Sequence, residues 1–174
     1  EVDSHGAIVV NGYLHTTAPN IWAMGDVKGG LQFTYISLDD YRIIRDDLFG
    51  NKERTADDRN PVAYSVFIDP PLSHVGLTEE EAIKRGYSFK VSRLPVSALP
   101  RARTLQQTDG ILKAIVDSHS GRIMGCTLFC AESSEVINVV NMAMKTGQHY
   151  TFLRDFIFTH PSMGEGLNDL FSID

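Results

Sequence analysis

The spacing of apolar residues predicts two parts with different architectures. In the first part, the apolar runs Ala7–Val10 and Ile21–Met24 predict short strands, and the unbroken second run is typical of a strand buried on both faces. Apolar positions at helical spacing then predict a helix from about Gln32 to Phe49. A strand followed by a helix in this order indicates part of an α/β unit.

A polar and charged segment separates this part from the rest of the chain. Residues 51–60 contain hardly any apolar side chains, and Pro61 disfavours a helix that would run through them. We therefore interpret 51–60 as an exposed linker, which leaves 1–50 as one structural unit and 61–174 as another.

The pattern after the linker is mainly that of antiparallel strands. A capping box formed by Thr78 and Glu81 predicts the start of a short helix that ends near Gly86. A second, amphipathic helix is predicted over Ser133–Lys145. The strands are predicted at 63–68, 73–76, 88–94, 110–117 and 122–129, the last two forming a hairpin. The inward residues of the amphipathic helix are predicted to be Val136, Val139, Val140, Ala143 and Met144. This combination favours an α+β domain, an antiparallel sheet with helices on one face.

Composition and charge exclude two classes of partner. The chain has 174 residues, of which 43% are hydrophobic and 22% charged, and its formal net charge is −6. The acidic balance argues against a nucleic-acid partner, which needs a clustered basic surface. The apolar runs are far shorter than the ~20 residues of a membrane span, so we expect no membrane partner.

The two cysteines are predicted to be core residues. Cys126 and Cys130 lie on the predicted strand 122–129 or just beyond it. At ~3.3 Å per residue, their α-carbons would be about 13 Å apart, too far for a disulfide. Because two cysteines cannot form a secreted disulfide framework, we expect a reducing, cytoplasmic setting.

Three motifs carry a resemblance to a known family. The run Thr16–Val27 (TTAPNIWAMGDV) resembles the flavin-contacting strand of class I pyridine nucleotide-disulfide oxidoreductases such as glutathione reductase, dihydrolipoamide dehydrogenase and mercuric reductase. The run Ser73–Ala82 (SHVGLTEEEA) resembles the opening of their dimerisation domain. His160–Pro161 with Glu165 is similar to their catalytic His–Glu end. The motifs occur in the family's order and spacing over nearly the whole chain.

For the first part, the resemblance implies that residues 1–50 are the C-terminal end of an FAD-binding domain. Asp26, after Gly25, corresponds to the aspartate that binds the ribityl chain of FAD. The helix start at Gln32, Phe33 and Thr34 corresponds to the helix end that faces the flavin's pyrimidine edge. Where many members have a Thr-Pro pair, this sequence reads Phe-Thr-Tyr-Ile, so the match is incomplete there.

For residues 61–174, the resemblance implies a dimerisation domain that supplies the catalytic pair. His160 would be the proton donor and acceptor, and Glu165 would orient it. In the family this histidine projects into the active site of the partner subunit, so a homodimer is expected.

The predicted function is the C-terminal segment of an FAD-dependent NAD(P)H:disulfide or oxidant oxidoreductase. A small-molecule disulfide or oxidant is the expected substrate. A Gly-rich dinucleotide fingerprint is not found in these residues, and the chain opens without Met. We therefore expect a piece of a longer protein that is inactive alone and holds neither FAD nor NAD(P)H. Two alternatives remain open: a stand-alone dimerisation or interaction module, and a dihydrolipoamide dehydrogenase subunit of a large complex.

The other histidines are not expected to bind metal. We predict that His5, His15 and His119 are solvated in turns or loops. His74, in a strand, and His149, after a helix, have no companion at metal-ligand spacing. No metal site is therefore predicted.

Overall fold

The chain is described here by a computed structural model, in which residues 1–173 are placed. They divide into two compact units, Glu1–Asn60 and the chain from Pro61 onward. The first unit contains one long helix, α1 (Thr34–Phe49), and two short 3₁₀ helices, Gly25–Lys28 and Ala56–Arg59.

The strands predicted in the first unit are wrong. The Ala7–Val10 and Ile21–Met24 runs take part only in isolated β-bridges. Ile21 is 54% exposed and Met24 41% exposed, whereas Ala23 between them is buried. An apolar run becomes a strand buried on both faces only where neighbouring strands pair with it along its length. The Ile21–Met24 run is paired at one bridge, between Trp22 and His15.

The second unit is built on one antiparallel sheet. Its strands have the spatial order β1-β2-β5-β4-β3, with every neighbouring pair antiparallel. The strands are β1 (Tyr64–Val66), β2 (Leu72–Gly76), β3 (Phe89–Pro95), β4 (Ile111–Asp117) and β5 (Ile123–Phe129). The helices are α2 (Glu79–Lys84), α3 (Pro100–Leu105), α4 (Ser133–Lys145), α5 (Thr151–Arg154) and α6 (Gly166–Leu170). The predicted antiparallel α+β class is confirmed, although α3 was not predicted.

The predicted capping box at the start of α2 is confirmed. The Glu81 backbone N–H donates to Thr78 Oγ1 at 3.2 Å, and the Thr78 backbone N–H donates to Glu81 Oε2 at 2.8 Å. Two backbone donors that a helix start leaves without partners are thereby satisfied.

The inward face of α4 differs by one position from the prediction. Val136, Val140 and Ala143 are buried as expected, but Ile137 is buried in place of Val139, which is 37% exposed. At 3.6 residues per turn, residues 136, 137, 140 and 143 form one stripe, and residue 139 lies outside it. This stripe belongs to the core cluster, which also contains the inner residues of α6.

Candidate functional site

The predicted histidine and glutamate are brought together. His160 Nδ1 lies 2.8 Å from Glu165 Oε2, and the His160–Pro161 peptide bond is cis. The His160 side chain is 70% exposed, whereas that of Glu165 is 16% exposed. The pair therefore consists of an anchored carboxylate and an imidazole that faces outward.

The turn between the two residues is held by a serine. Ser162 Oγ donates to the Thr159 carbonyl at 2.7 Å and accepts from the Glu165 backbone N–H at 3.2 Å. α6 begins at Gly166 and does not extend back to Ser162. Residues 161–165 form a turn instead, and this turn lets Glu165 reach back to the imidazole.

Glu165 is anchored from its C-terminal side by the packing of α6. Leu167 and Leu170 are buried in the core cluster, and Gly166 packs so closely on Leu99 that a Cβ there would lie 2.5 Å from Leu99 Cδ2. The Asn168 side-chain amide donates at 2.9 Å to the carbonyl of Phe156, in the segment that leads to His160. Both ends of the segment 156–165 are therefore tied to α6.

The histidine–glutamate geometry suits proton transfer. A carboxylate at Nδ1 favours the tautomer in which Nδ1 carries the hydrogen, which leaves Nε2 as the basic atom. Since Nε2 lies on the exposed side of the ring, a group from outside this unit can reach it. The second carboxylate oxygen, Glu165 Oε1, is buried without a hydrogen-bond partner among the described residues.

Exposed apolar side chains lie in the segment that precedes His160 in the chain. Phe152 is 45% exposed and Phe156 46% exposed, and their rings lie 5.8 Å apart. Ile157 is 93% exposed, three residues before His160. Exposed apolar groups in such a cluster indicate a surface that is covered by another chain or domain.

The predicted flavin-contacting residues lie on a tight turn in the first unit. Gly25 is buried with φ of 71°, a left-handed conformation that favours glycine. Asp26, the next residue, is exposed, and its carboxylate makes no hydrogen bond with residues 1–173. The turn therefore presents a free carboxylate outward.

The start of α1 has no side-chain cap. The N-cap residue Phe33 supplies no side-chain cap, and the first turn contains no acidic residue. Gln32 and Thr34 are exposed, and the Phe33 ring stacks on Tyr35 with 5.1 Å between the centroids. A negatively charged group would be favoured near this positive end of the helix dipole.

Sequence reasoning missed a buried acidic face on α1. Asp39, Asp40 and Asp47 are all buried on this helix, together with Ile36 and Ile43. The spacing of the three aspartates could have indicated their burial, because they lie on the helix face that the two isoleucines occupy.

Two arginines from the segment 51–60 bind this acidic face. Arg59 Nε donates to Asp39 Oδ2 at 2.7 Å, and its Nη2 donates to Asp40. Arg54 donates to Asp39 as well. Most of the segment is exposed, but these ion pairs fix it to α1 instead of leaving it free.

The prediction that His15 is simply solvated is also wrong. Its Nε2 lies 2.7 Å from Asp47 Oδ2, and its ring centroid lies 4.8 Å from that of Trp22. Asp47 accepts a second hydrogen bond from Trp22 Nε1 at 2.9 Å. The chain folds back over α1 here, so a residue in a predicted loop becomes a partner of a buried carboxylate.

The cysteines are core residues, as predicted. Cys126 and Cys130 are each 1% exposed and are free thiols. Burial raises the pKa of Cys126, and it raises the pKa of Cys130 to about 12. Since the thiolate is the reactive form, neither residue is suited to redox exchange.

Residues 1–173 contain neither a metal-binding cluster nor a helix that could span a membrane. No cluster of three or more His, Cys, Asp or Glu side chains is arranged to hold a metal ion. None of the helices described has the length and apolar character needed to cross a membrane.

Comparison with known proteins identifies the relatives of the chain. Residues 62–171 match the family "Pyridine nucleotide-disulphide oxidoreductase, dimerisation domain". The chain is 61% identical over 172 residues to the "Probable pyridine nucleotide-disulfide oxidoreductase RclA" of Escherichia coli (strain K12), a match that covers 99% of this chain and 39% of that protein. It is 32% identical over 167 residues to a mercuric reductase of Bacillus cereus, covering 96% of this chain and 26% of the relative.

Solved structures give the same relationship. The chain superposes on the "HOCl-induced flavoprotein disulfide reductase RclA" from Escherichia coli with a TM-score of 0.96 and 60% identity, covering 99% of this chain and 40% of that one. The chain thus spans about two fifths of the length of this relative.

Proposed function

The chain belongs to the pyridine nucleotide-disulphide oxidoreductase dimerisation-domain family, and on this basis we propose that it is the C-terminal part of a homodimeric, FAD-dependent NAD(P)H:disulfide or oxidant reductase. The observation that carries the proposal is the His160–Glu165 pair, joined at 2.8 Å within the unit that matches the family. The relatives support it, since one is a flavoprotein disulfide reductase by its printed description. A cytoplasmic location is part of the same proposal and rests on the two free thiols.

His160 holds and moves the proton in this proposal. The Glu165 carboxylate accepts the hydrogen of Nδ1 and keeps Nε2 unprotonated and basic. Nε2 takes a proton from a reactive thiol, because the thiolate is the nucleophile, and returns it to the reduced product. The buried anchoring of Glu165 stabilises the imidazolium in between.

The residues of the first unit fit a bound flavin. The outward Asp26 carboxylate has no partner among residues 1–173 and would accept hydrogen bonds from the hydroxyls of the ribityl chain. The uncapped start of α1, with Gln32, Phe33 and Thr34, would face the electron-rich edge of the ring. When bound, the flavin passes electrons from a nicotinamide cofactor to a dithiol.

The homodimer explains why the imidazole faces outward. His160 is 70% exposed, and Phe156 and Ile157 expose apolar surface just before it in the chain. A two-fold partner that covers these residues would bring its own dithiol to Nε2. Each active site would then need two subunits.

The proposal is tested in the full-length enzyme with His160→Ala. Flavin reduction by NAD(P)H should be unchanged, and the transfer from dithiol to substrate should slow by about 10²–10⁴, the usual contribution of a general acid–base. Stopped-flow absorbance separates the two steps. Glu165→Gln should slow the same step less, because the imidazole remains while its tautomer is less well fixed.

Subunit mixing then tests whether the histidine acts across the dimer. His160→Ala subunits are combined with subunits whose redox cysteines are replaced, each inactive alone. Random pairing gives mixed dimers with one complete site, so activity should recover to about a quarter of the wild-type value per subunit. Full turnover by the His160→Ala homodimer would refute the role of the histidine, and an absence of recovery on mixing would refute its action across the dimer.

A further inference from the structure

One carboxylate of the first unit lies directly beneath the turn that carries Asp26. The Asp40 side chain is fully buried, and its Oδ2 accepts from the Gly25 backbone N–H at 2.7 Å. The same oxygen lies 3.5 Å from Lys28 Nζ, and the Lys28 side chain is 9% exposed. Oδ1 accepts from Arg59.

These contacts hold both ends of the short helix in which Asp26 lies. Gly25 and Lys28 are its first and last residues, and Asp26 is the second. The Asp26 carboxylate has no partner of its own among residues 1–173, so the backbone of the turn sets its direction. Asp40 fixes that backbone through a main-chain donor at one end and a side-chain cation at the other.

This arrangement uses both oxygens of the Asp40 side chain as hydrogen-bond acceptors. A buried carboxylate accepts hydrogen bonds through both oxygens, and here both are used by donors. An asparagine would place an N–H₂ group opposite one of these donors and break a contact. Asp39, the neighbouring residue, shares Arg59 but is paired with arginines instead of the turn.

We propose that Asp40 is a positioning residue for the cofactor: it fixes the Gly25–Lys28 turn so that the Asp26 carboxylate points at the flavin. This inference rests on the proposed function, in which Asp26 binds FAD. Arg59 takes part indirectly, since it donates to the other carboxylate oxygen of Asp40 and so holds the side chain in place.

The test is FAD affinity in the full-length enzyme, measured by fluorescence titration of the flavin-free protein. Asp40→Asn should raise the FAD Kd roughly 10- to 100-fold, the range seen when outer-shell partners of metal ligands are removed. Asp39→Asn is the matched control, with the same charge change one residue away, and should leave the Kd nearly unchanged. Circular dichroism checks that each variant is folded.

A double-mutant cycle separates positioning from a general loss of structure. If Asp40 acts through Asp26, Asp40→Asn should add no further loss of affinity to Asp26→Ala. If Asp40→Asn does not fold, Lys28→Met takes its place, because it removes the contact from the side of the turn. It should raise the Kd in the wild-type background only.

The outcomes distinguish this inference from the proposed function. Equal effects of Asp39→Asn and Asp40→Asn, or a loss that adds fully to that of Asp26→Ala, would overturn the positioning role while leaving the flavin role of Asp26 intact. Wild-type FAD affinity in Asp26→Ala would overturn the flavin role itself, and the positioning role with it.

Discussion

Replacing Gly166 by alanine tests whether the packing of α6 holds the candidate site. Gly166 follows Glu165 directly, and a Cβ on it would lie 2.5 Å from Leu99 Cδ2 and 3.1 Å from Cδ1. Leu99 is fully buried in the core, so any shift of its side chain has to be accommodated by the residues packed around it. Gly164, on the other side of Glu165, is the natural control, because its nearest contact would be 3.6 Å, an ordinary van der Waals distance.

The two substitutions should change stability in opposite directions. At Gly166, alanine gains about 1 kcal/mol in helix propensity but loses about 1–3 kcal/mol through overpacking, so we expect a net loss of up to about 2 kcal/mol. At Gly164, the same change reduces the freedom of the unfolded chain without a clash, which should stabilise by about 0.4–1 kcal/mol. The same methyl group is added at both positions, and the two sites differ in the space available for it.

Urea unfolding of the 174-residue chain, followed by circular dichroism, measures both changes. Gly166→Ala should lower the midpoint and Gly164→Ala should raise it, with little change in the slope. In the full-length enzyme, Gly166→Ala should also slow the step that depends on His160, since α6 must shift and carry Glu165 with it. If both variants moved the midpoint in the same direction, the close packing of Gly166 on Leu99 would not control this segment.

Two further predictions concern titratable groups. Burial raises the pKa of Asp47, but hydrogen bonds from Lys52 and from the Trp22 and His15 side chains outweigh it and lower the pKa overall. A carboxyl group with a lowered pKa in the folded state stabilises the protein above the unfolded pKa of about 3.9, and this stability is lost as the pH falls through the folded pKa. Asp47→Asn should therefore be less stable at neutral pH, and its stability should depend less on pH below about pH 4. Trp22 fluorescence measures both effects. Both cysteine thiols, whose pKa burial raises, should resist iodoacetamide at pH 8 until urea unfolds the chain, and mass spectrometry of the alkylated protein checks this.

Alternation along the chain was sufficient to predict the strands of the second unit. Strands such as Ile111–Asp117 and Ile123–Phe129 pair with near neighbours in sequence, so a local pattern contains the information that their pairing needs. The His160–Glu165 pair was predicted from the resemblance of its motif to the family, and its five-residue separation lets one turn bring the two side chains together.

The first unit could not be predicted in the same way. The apolar residues Ile21–Met24 resemble a buried strand, but whether such a run is covered depends on segments distant in sequence. Asp40 was missed because an aspartate on a helix is most often solvated, and its burial depends on Arg59, nineteen residues later. The face that Asp40 shares with Ile36 and Ile43 is a local signal, but no local pattern marks Arg59 as the residue that compensates its charge.

On the proposed function, chemistry and association depend on one short segment. Phe156 and Ile157 expose apolar surface, and His160 follows within four residues, with the imidazole 70% exposed. Glu165 fixes one side of the ring from within the subunit, but nothing in residues 1–173 fixes the side of Nε2. Burial of Phe156 and Ile157 against a partner would therefore restrict the histidine as well as join the subunits. The energy of association would thus also orient the base.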